Sequence, residues 1–294
     1  VEANVTKWFT MGTRIFGQRQ DYGLAGVSNA FNLLYQTTPG VYPGDVNAWG
    51  IPALASEESS NANNIFRTLY GSGGYNVKTR INGSVYAHIK PYKGISLEAT
   101  FNYSPEFGEE HKYSRQNGMW DYMNNVQYST SDLANASVNN STSRSYYLTS
   151  ELLARYNGTF GDHEVGALVG YTTTQYESWK WGLSRKGATD WSLHDLSTYS
   201  EFSSYSNTAR AGWGLRSYFG RINYSYKNRY LFEANLRADG SSKFGSNNRY
   251  GWFPSFSAGW KIHEEAFMEN TRSWLSNLKL RASWGQAGTN MGIG

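Results

Sequence analysis

The chain has 294 residues, no cysteine and a net charge of +4, with 16% aromatic and 17% charged residues, against about 25% charged in an ordinary soluble domain. This composition excludes disulfide scaffolds and cysteine nucleophiles, and the many aromatic rings exclude an intrinsically disordered chain. The chain has no apolar run near the ~20 residues of a membrane-spanning helix, which excludes a helical membrane protein. A mean hydropathy of −0.61 is still compatible with membrane-spanning strands, because only every second residue of such a strand faces lipid.

Alternation with a period of two residues is the main pattern along the chain. In Ile95–Tyr103 the odd-numbered residues are apolar and the even-numbered ones polar, as expected for a strand whose two faces meet different surroundings. Nine strands are predicted on this basis: Asn4–Phe16, Ile81–Ile89, Ile95–Tyr103, Tyr146–Tyr156, Val165–Thr173, Tyr218–Tyr226, Tyr230–Asp239, Tyr250–Ile262 and Leu278–Trp284. Glu264–Asn270, with acidic residues at its start, is predicted as one short helix.

The connections between these strands alternate in length. Lys90–Gly94, Asn157–His163 and Lys227–Arg229 are short, whereas about 60 residues follow the first strand and about 40 follow both the third and the fifth, far more than a hairpin loop needs. Strict alternation places the long connections at one end of the sheet. This asymmetry is typical of an antiparallel transmembrane β-barrel with short periplasmic turns and long extracellular loops, so the predicted fold class is all-β.

Aromatic residues fall at the two ends of the apolar strand faces. The lower set, next to the short turns, is Tyr156, Tyr226, Tyr230 and Trp260. The upper set is Tyr103, Tyr146, Tyr171, Tyr218, Trp252 and Trp284. Two such girdles are typical of the membrane–water interfaces of a barrel, although the general preference of aromatic residues for strands is an alternative explanation.

Nine strands are not a complete barrel. Bacterial single-chain barrels have even strand numbers, and open sheet edges in lipid would leave backbone groups without hydrogen bonds. We therefore expect residues 1–294 to form part of one larger barrel domain. The opening sequence VEANVTKWFT lacks the basic and apolar regions of a signal peptide, so none is expected in this chain.

Motifs of catalysis are missing from the sequence. It contains no G-x-S-x-G, H-E-x-x-H, Walker A or G-x-G-x-x-G, and its five histidines do not follow metal-ligand spacing. We therefore expect no enzyme activity, cofactor or metal site. Lysine and arginine are scattered singly rather than clustered, so nucleic acid is not an expected partner.

Aromatic residues in the predicted extracellular loops are the candidate ligand-binding residues. Trp179, Trp181 and Trp191 fall in one predicted loop, and Trp120 and Tyr122 in another. Exposed rings stack on the apolar faces of sugar rings, and nearby Asn, Ser and Asp side chains supply hydrogen bonds to hydroxyls. The alternative is a small core that packs the loop segments against one another.

Three segments near the end of the chain indicate a family. Arg237–Gly245, Asn248–Trp260 and Trp274–Gly288 closely resemble the barrel region of SusC/RagA-type TonB-dependent outer-membrane transporters. The turns Lys-Pro-Tyr-Lys-Gly and Thr-Phe-Gly-Asp-His upstream resemble turns of the same family in the same order.

The resemblance implies a barrel of about 22 strands in the bacterial outer membrane, closed by a plug and covered by a SusD-like surface lipoprotein. It also implies TonB-driven import of oligosaccharides or peptides. The plug domain, signal peptide and TonB box are absent from this chain, so no gating residue is assigned. Two alternatives remain. One is a non-transport surface barrel or adhesin that binds sugars through its loops. The other is a soluble β-propeller or sandwich lectin, which the apolar strand faces disfavour.

Overall fold

The computed structural model describes residues 1–23, 27–34, 42–51, 64–271 and 273–288, and these residues form mostly β-strands. The strands are β1 (Glu2–Asn4), β2 (Phe9–Asp21), β3 (Gly44–Asp45), β4 (Ala48–Gly50), β5 (Ser72–Tyr92), β6 (Ile95–Ser114), β7 (Met119–Asp121), β8 (Val126–Ser129), β9 (Ser137–Phe160), β10 (His163–Ala188), β11 (Tyr199–Tyr226), β12 (Tyr230–Ser241), β13 (Tyr250–Lys261) and β14 (Lys279–Gly285). The helices are α1 (Val27–Leu34), α2 (Ile65–Tyr70) and 3-10 turns at Leu196–Thr198, Ser246–Asn248, Ile262–Glu264 and Ala266–Thr271.

Ten strands form one antiparallel sheet in the order β1-β2-β5-β6-β9-β10-β11-β12-β13-β14. Each main strand pairs with the next one along the chain, which is the up-and-down order of a barrel wall. The small strands β3, β4, β7 and β8 form a separate sheet at the end opposite the short turns. The antiparallel all-β prediction is confirmed. Among the described residues β1 and β14 each have a strand partner on one side only, so this part of the wall is open.

The strands are much longer than the alternation predicts. β9, β10 and β11 contain 24, 26 and 28 residues, and most of the predicted loop after the fifth strand belongs to β10 and β11. At about 3.3 Å per residue such a strand is about 85 Å long, far more than the ~30 Å hydrocarbon layer requires. Long connections are present as predicted, but those after the third and fifth strands are shorter than expected. Alternation stops where lipid stops, whereas the strands continue with polar residues on both faces.

Two further predictions are corrected. The predicted strand Asn4–Phe16 is observed as β2 only from Phe9 onward, while Asn4 ends β1, which pairs with β2 as a hairpin in which Ala3 is in register with Met11. The predicted helix Glu264–Asn270 is replaced by two 3-10 turns on either side of Glu265. The other eight predicted strands all overlap observed ones. The first long connection includes residues 24–26, 35–41 and 52–63, which lie outside the described part of the chain.

The main sheet has an apolar face and a polar face, which we call the outward and inward faces. Residues in register on successive strands lie on the same face of the sheet. One such row across the apolar face consists of Met11, Ala87, Ala99, Leu152, Tyr171, Tyr218, Ala238 and Trp252. No second layer covers this row within the described residues, and Val169 and Ile222 on the same face are 63% and 55% exposed. Such a large continuous apolar surface needs an apolar environment.

Aromatic rings lie at both ends of the outward face. The rings of Tyr230 lie 6.3 Å from Tyr226 and 6.5 Å from Trp260, next to the short turns. The rings of Tyr171 and Tyr218 are 5.1 Å apart toward the other end. From Tyr218 to Tyr226, β11 runs for about the 9–11 residues that cross a bilayer. No helix within the described ranges has the length and apolarity needed to cross a membrane.

The connection between β13 and β14 is fixed by Glu265. This carboxylate accepts hydrogen bonds from Tyr230 Oη at 2.6 Å, from Trp260 Nε1 at 2.9 Å and from Arg229 Nη1 at 3.2 Å. The bond from Tyr230, followed by that from Trp260, lowers the pKa of Glu265, because both favour the charged carboxylate.

Glu265→Gln is expected to loosen this connection, because the neutral amide binds the same donors less strongly. We expect amide exchange protection of Ile262–Thr271 to fall about tenfold at neutral pH, measured by hydrogen–deuterium exchange after correction for intrinsic rates. Since folding depresses the pKa of Glu265, its contribution is present above the unfolded pKa and is lost as the pH falls through the folded one. The variant should lack this acid-dependent loss, whereas Glu264→Gln, which removes only a contact with His263, should retain it.

Candidate functional site

Trp179 and Trp181 lie in strand β10, not in a loop, which corrects their predicted placement. The ring of Trp179 is flanked by the guanidinium groups of Arg144 and Arg210, at 5.3 Å and 5.6 Å from its centroid. Trp181 is 55% exposed on the same outward face. Both rings therefore point away from the inward face, along which a molecule crossing the barrel would pass.

Trp120 and Tyr122 belong to the small sheet. The ring of Tyr122 lies 4.4 Å from that of Tyr42, and its hydroxyl donates to the Ala48 carbonyl at 2.8 Å. Hydrogen bonds from Asn124, first from its side chain, lower the pKa of the adjacent Asp121 and hold the turn that carries Tyr122. These contacts give Tyr122 a packing role beside this sheet, and Trp120 pairs with Gly50 and Gln127 within it.

Trp191 packs against a small buried cluster formed by Ala136, Val138 and Tyr199. The loop core that the sequence offered as an alternative is therefore present around Trp191. The five predicted aromatic residues thus occupy separate settings: the outward face of β10, the small sheet, and this cluster. Their role in ligand binding stays a prediction.

The inward face carries an aromatic row that the sequence did not single out. Tyr147, Tyr176 and Trp213 are in register on β9, β10 and β11. Ring centroids lie 4.7 Å apart for Tyr147 and Tyr176, and 6.0 Å apart for Tyr176 and Trp213. All three rings are partly exposed. Continuing the period-two pattern of the predicted strands by a few residues would have assigned them to the inward face.

Small hydroxyl side chains lie on both sides of this aromatic row. Ser145 and Ser178 are paired two positions beyond Tyr147 and Tyr176, and Thr149 and Thr174 are paired two positions before them. The Thr149 and Thr174 hydroxyl oxygens are 3.4 Å apart. Aromatic faces beside neutral hydroxyls match the apolar faces and hydroxyl rims of sugar rings, and they offer little to a charged ligand.

The inward face nearer the short turns carries charged residues, two of which are paired with acidic residues. Arg155 contacts Glu98 at 2.8 Å, and Arg237 contacts Asp239 at 2.7 Å. The Arg221 Nε donates to Asn235 at 2.6 Å. A concavity of about 500 Å³ lies among these residues. The polar wall predicted from the alternation is present, and the Arg155–Glu98 pair links the neighbouring strands β9 and β6.

The described part of the chain contains no cluster of side chains suited to a metal ion. No three His, Asp or Glu side chains there are grouped so as to hold an ion. The inward face offers aromatic stacking surfaces and hydrogen-bonding hydroxyl groups.

No family model matches the chain. Over 277 residues it is 30% identical to TonB-dependent receptor P26 of Formosa agariphila, an alignment that covers 92% of this chain and 26% of that receptor. It is 57% identical over 74 residues to TonB-dependent receptor SusC of Bacteroides thetaiotaomicron, covering 25% of this chain and 7% of SusC. The fold matches the RagAB peptide importer in its open-open state with a TM-score of 0.75 at 22% identity, over 97% of this chain and 31% of the other.

The chain is SusC/RagA-like and matches part of TonB-dependent outer-membrane receptors. It spans about a quarter of the length of the curated relatives it matches over most of its own length. This likeness identifies the sheet as part of an antiparallel transmembrane β-barrel in the bacterial outer membrane. The outward face accordingly meets lipid and the inward face lines the interior of the SusC/RagA-type barrel.

Proposed function

We propose that the full-length protein imports neutral oligosaccharides across the outer membrane. The observation that carries this proposal is the inward-facing row of Tyr147, Tyr176 and Trp213 with hydroxyls on both sides. The likeness to TonB-dependent receptors supports TonB-dependent transport, and the chemistry of the row supports a sugar rather than a charged peptide as the molecule bound. Since the RagAB importer is only 22% identical, its peptide substrate is not carried over.

The remaining parts of the transport cycle are proposed from the family. Residues 1–294 form part of the barrel domain, and a plug elsewhere in the full-length protein closes it. TonB rearranges this plug, and a SusD-like surface lipoprotein covers the extracellular end and delivers the substrate. The strand extensions of β9, β10 and β11 beyond the bilayer give such a lipoprotein a broad rim to rest on.

Deletion of the full-length gene tests this function. We expect uptake of fluorescently labelled neutral oligosaccharides to fall to background and to return with the intact gene, but not with a gene that lacks the TonB box. Uptake of a labelled peptide library serves as the control. Normal uptake of every oligosaccharide and peptide would refute transport. Loss of peptide uptake alone would refute the sugar assignment. Loss of glycan binding at the cell surface with normal oligosaccharide and peptide uptake would favour the adhesin alternative.

A further inference from the structure

The outward face of β11 has a hollow just beyond its last membrane-facing aromatic residue. Tyr218 is that residue, and Arg216 is the next outward position toward the extracellular end. The following outward positions are Gly214 and Gly212, so β11 itself places no side chain between Arg216 and Arg210, and Glu177 Cγ lies 3.2 Å from where a Cβ of Gly212 would stand. A concavity of about 870 Å³ lies over these glycines.

Two neighbouring elements form the walls of this hollow. Gln175 and Glu177 of β10 stand on one side, and the connection between β12 and β13 stands on the other. This connection is attached to β11, because Ser242 Oγ accepts from the Gly214 amide at 2.8 Å and the Ser242 amide donates to the Gly214 carbonyl at 2.9 Å. Ser246 of the same connection also lines the hollow, which therefore has defined polar walls.

Positive charge dominates the hollow. Arg210, Arg216 and Arg249 line it and are exposed, and within the described residues none of them forms an ion pair with a carboxylate. The one carboxylate in the lining is Glu177, whose Oε1 accepts from Gln175 Nε2 at 2.9 Å. On the inward face, by contrast, Arg155 and Arg237 are paired with acidic residues, as described above.

We propose that this hollow binds the phosphate of a lipid headgroup in the outer leaflet, such as the phosphorylated sugar of lipid A. The layer just beyond the interfacial aromatic residues is where headgroups lie, and Arg216 follows Tyr218 directly into that layer. Guanidinium groups bind phosphate through paired hydrogen bonds, and Ser242 and Ser246 are placed near them. The hollow continues the lipid-facing surface rather than the barrel interior, which favours a lipid over a soluble anion. This proposal does not depend on the transported substrate.

The test compares lipid A binding by purified, delipidated full-length protein and by its Arg210→Gln/Arg216→Gln variant, using native mass spectrometry. We expect the affinity to fall about tenfold or more, from the loss of two basic contacts. The control is Lys112→Gln/Lys180→Gln, which removes the same charge from exposed inward positions and should bind as the wild type does. Heat-modifiable electrophoretic mobility establishes that each barrel is folded.

Two further probes identify the ligand chemistry. Dephosphorylated lipid A should bind the wild type as weakly as phosphorylated lipid A binds the arginine variant. Millimolar inorganic phosphate should not displace bound lipid A. The proposal would be overturned if the wild type and the arginine variant bound lipid A equally, or if the lysine control lost as much affinity as the arginine variant. It would also be overturned if dephosphorylated lipid A bound the wild type tightly, or if inorganic phosphate displaced bound lipid A.

Discussion

Trp213→Ala is expected to lower the affinity of the full-length protein for neutral oligosaccharides about tenfold, and Trp213→Ala combined with Tyr147→Ala about a hundredfold. Each ring supplies a stacking surface on the inward face, and Tyr176 between them keeps the row continuous. Removing one aromatic anchor costs more than its area alone, because the ligand hydroxyls then lose their fixed position. The measurement is isothermal titration calorimetry with a panel of neutral oligosaccharides.

Matched variants separate stacking from general damage. Trp213→Phe should recover most of the affinity, since it restores a ring. Trp181→Ala removes a tryptophan from the outward face of the neighbouring strand and should bind as the wild type does. If Trp181→Ala lost the affinity and Trp213→Ala retained it, the aromatic residue predicted from the sequence would be the binding residue and the inward row would not.

Ile222→Arg is expected to destabilise the barrel in the bilayer by about 2–4 kcal/mol. Ile222 lies midway between Tyr218 and Tyr226 on the outward face and is 55% exposed without lipid. A guanidinium there would sit in the hydrocarbon centre, far from water and from any acceptor. The free energy of unfolding in bilayers, from urea titration, gives the size of the effect.

The adjacent position supplies the control for this variant. Asn223 points inward, in register with Glu233 on β12, so Asn223→Arg places the same side chain next to a carboxylate and water. Its free energy of unfolding should change by less than about 1 kcal/mol. Equal destabilisation by both substitutions would mean that the two faces do not differ in environment, which would contradict the assignment of the outward face to lipid.

The candidate site was only partly predictable from sequence. The sequence correctly marks Tyr146–Tyr156 as strand, and this range already contains Tyr147 on the polar side. Tyr176 and Trp213 lay in segments predicted as loops, because polar residues occupy both faces beyond the membrane and remove the alternation on which the prediction rests. The same effect led to the wrong placement of Trp179 and Trp181. Strand pairing, rather than hydropathy, holds these extensions together.

By itself the sequence determined which residues meet lipid, where the short turns lie and which family the chain resembles. Those features depend on residue type and on a period of two, both of which are local. Only the tertiary structure decided the strand lengths, the row of Tyr147, Tyr176 and Trp213, and the hollow between Arg216 and Arg210. These depend on register between strands far apart in the chain, and register is fixed by pairing across the whole sheet.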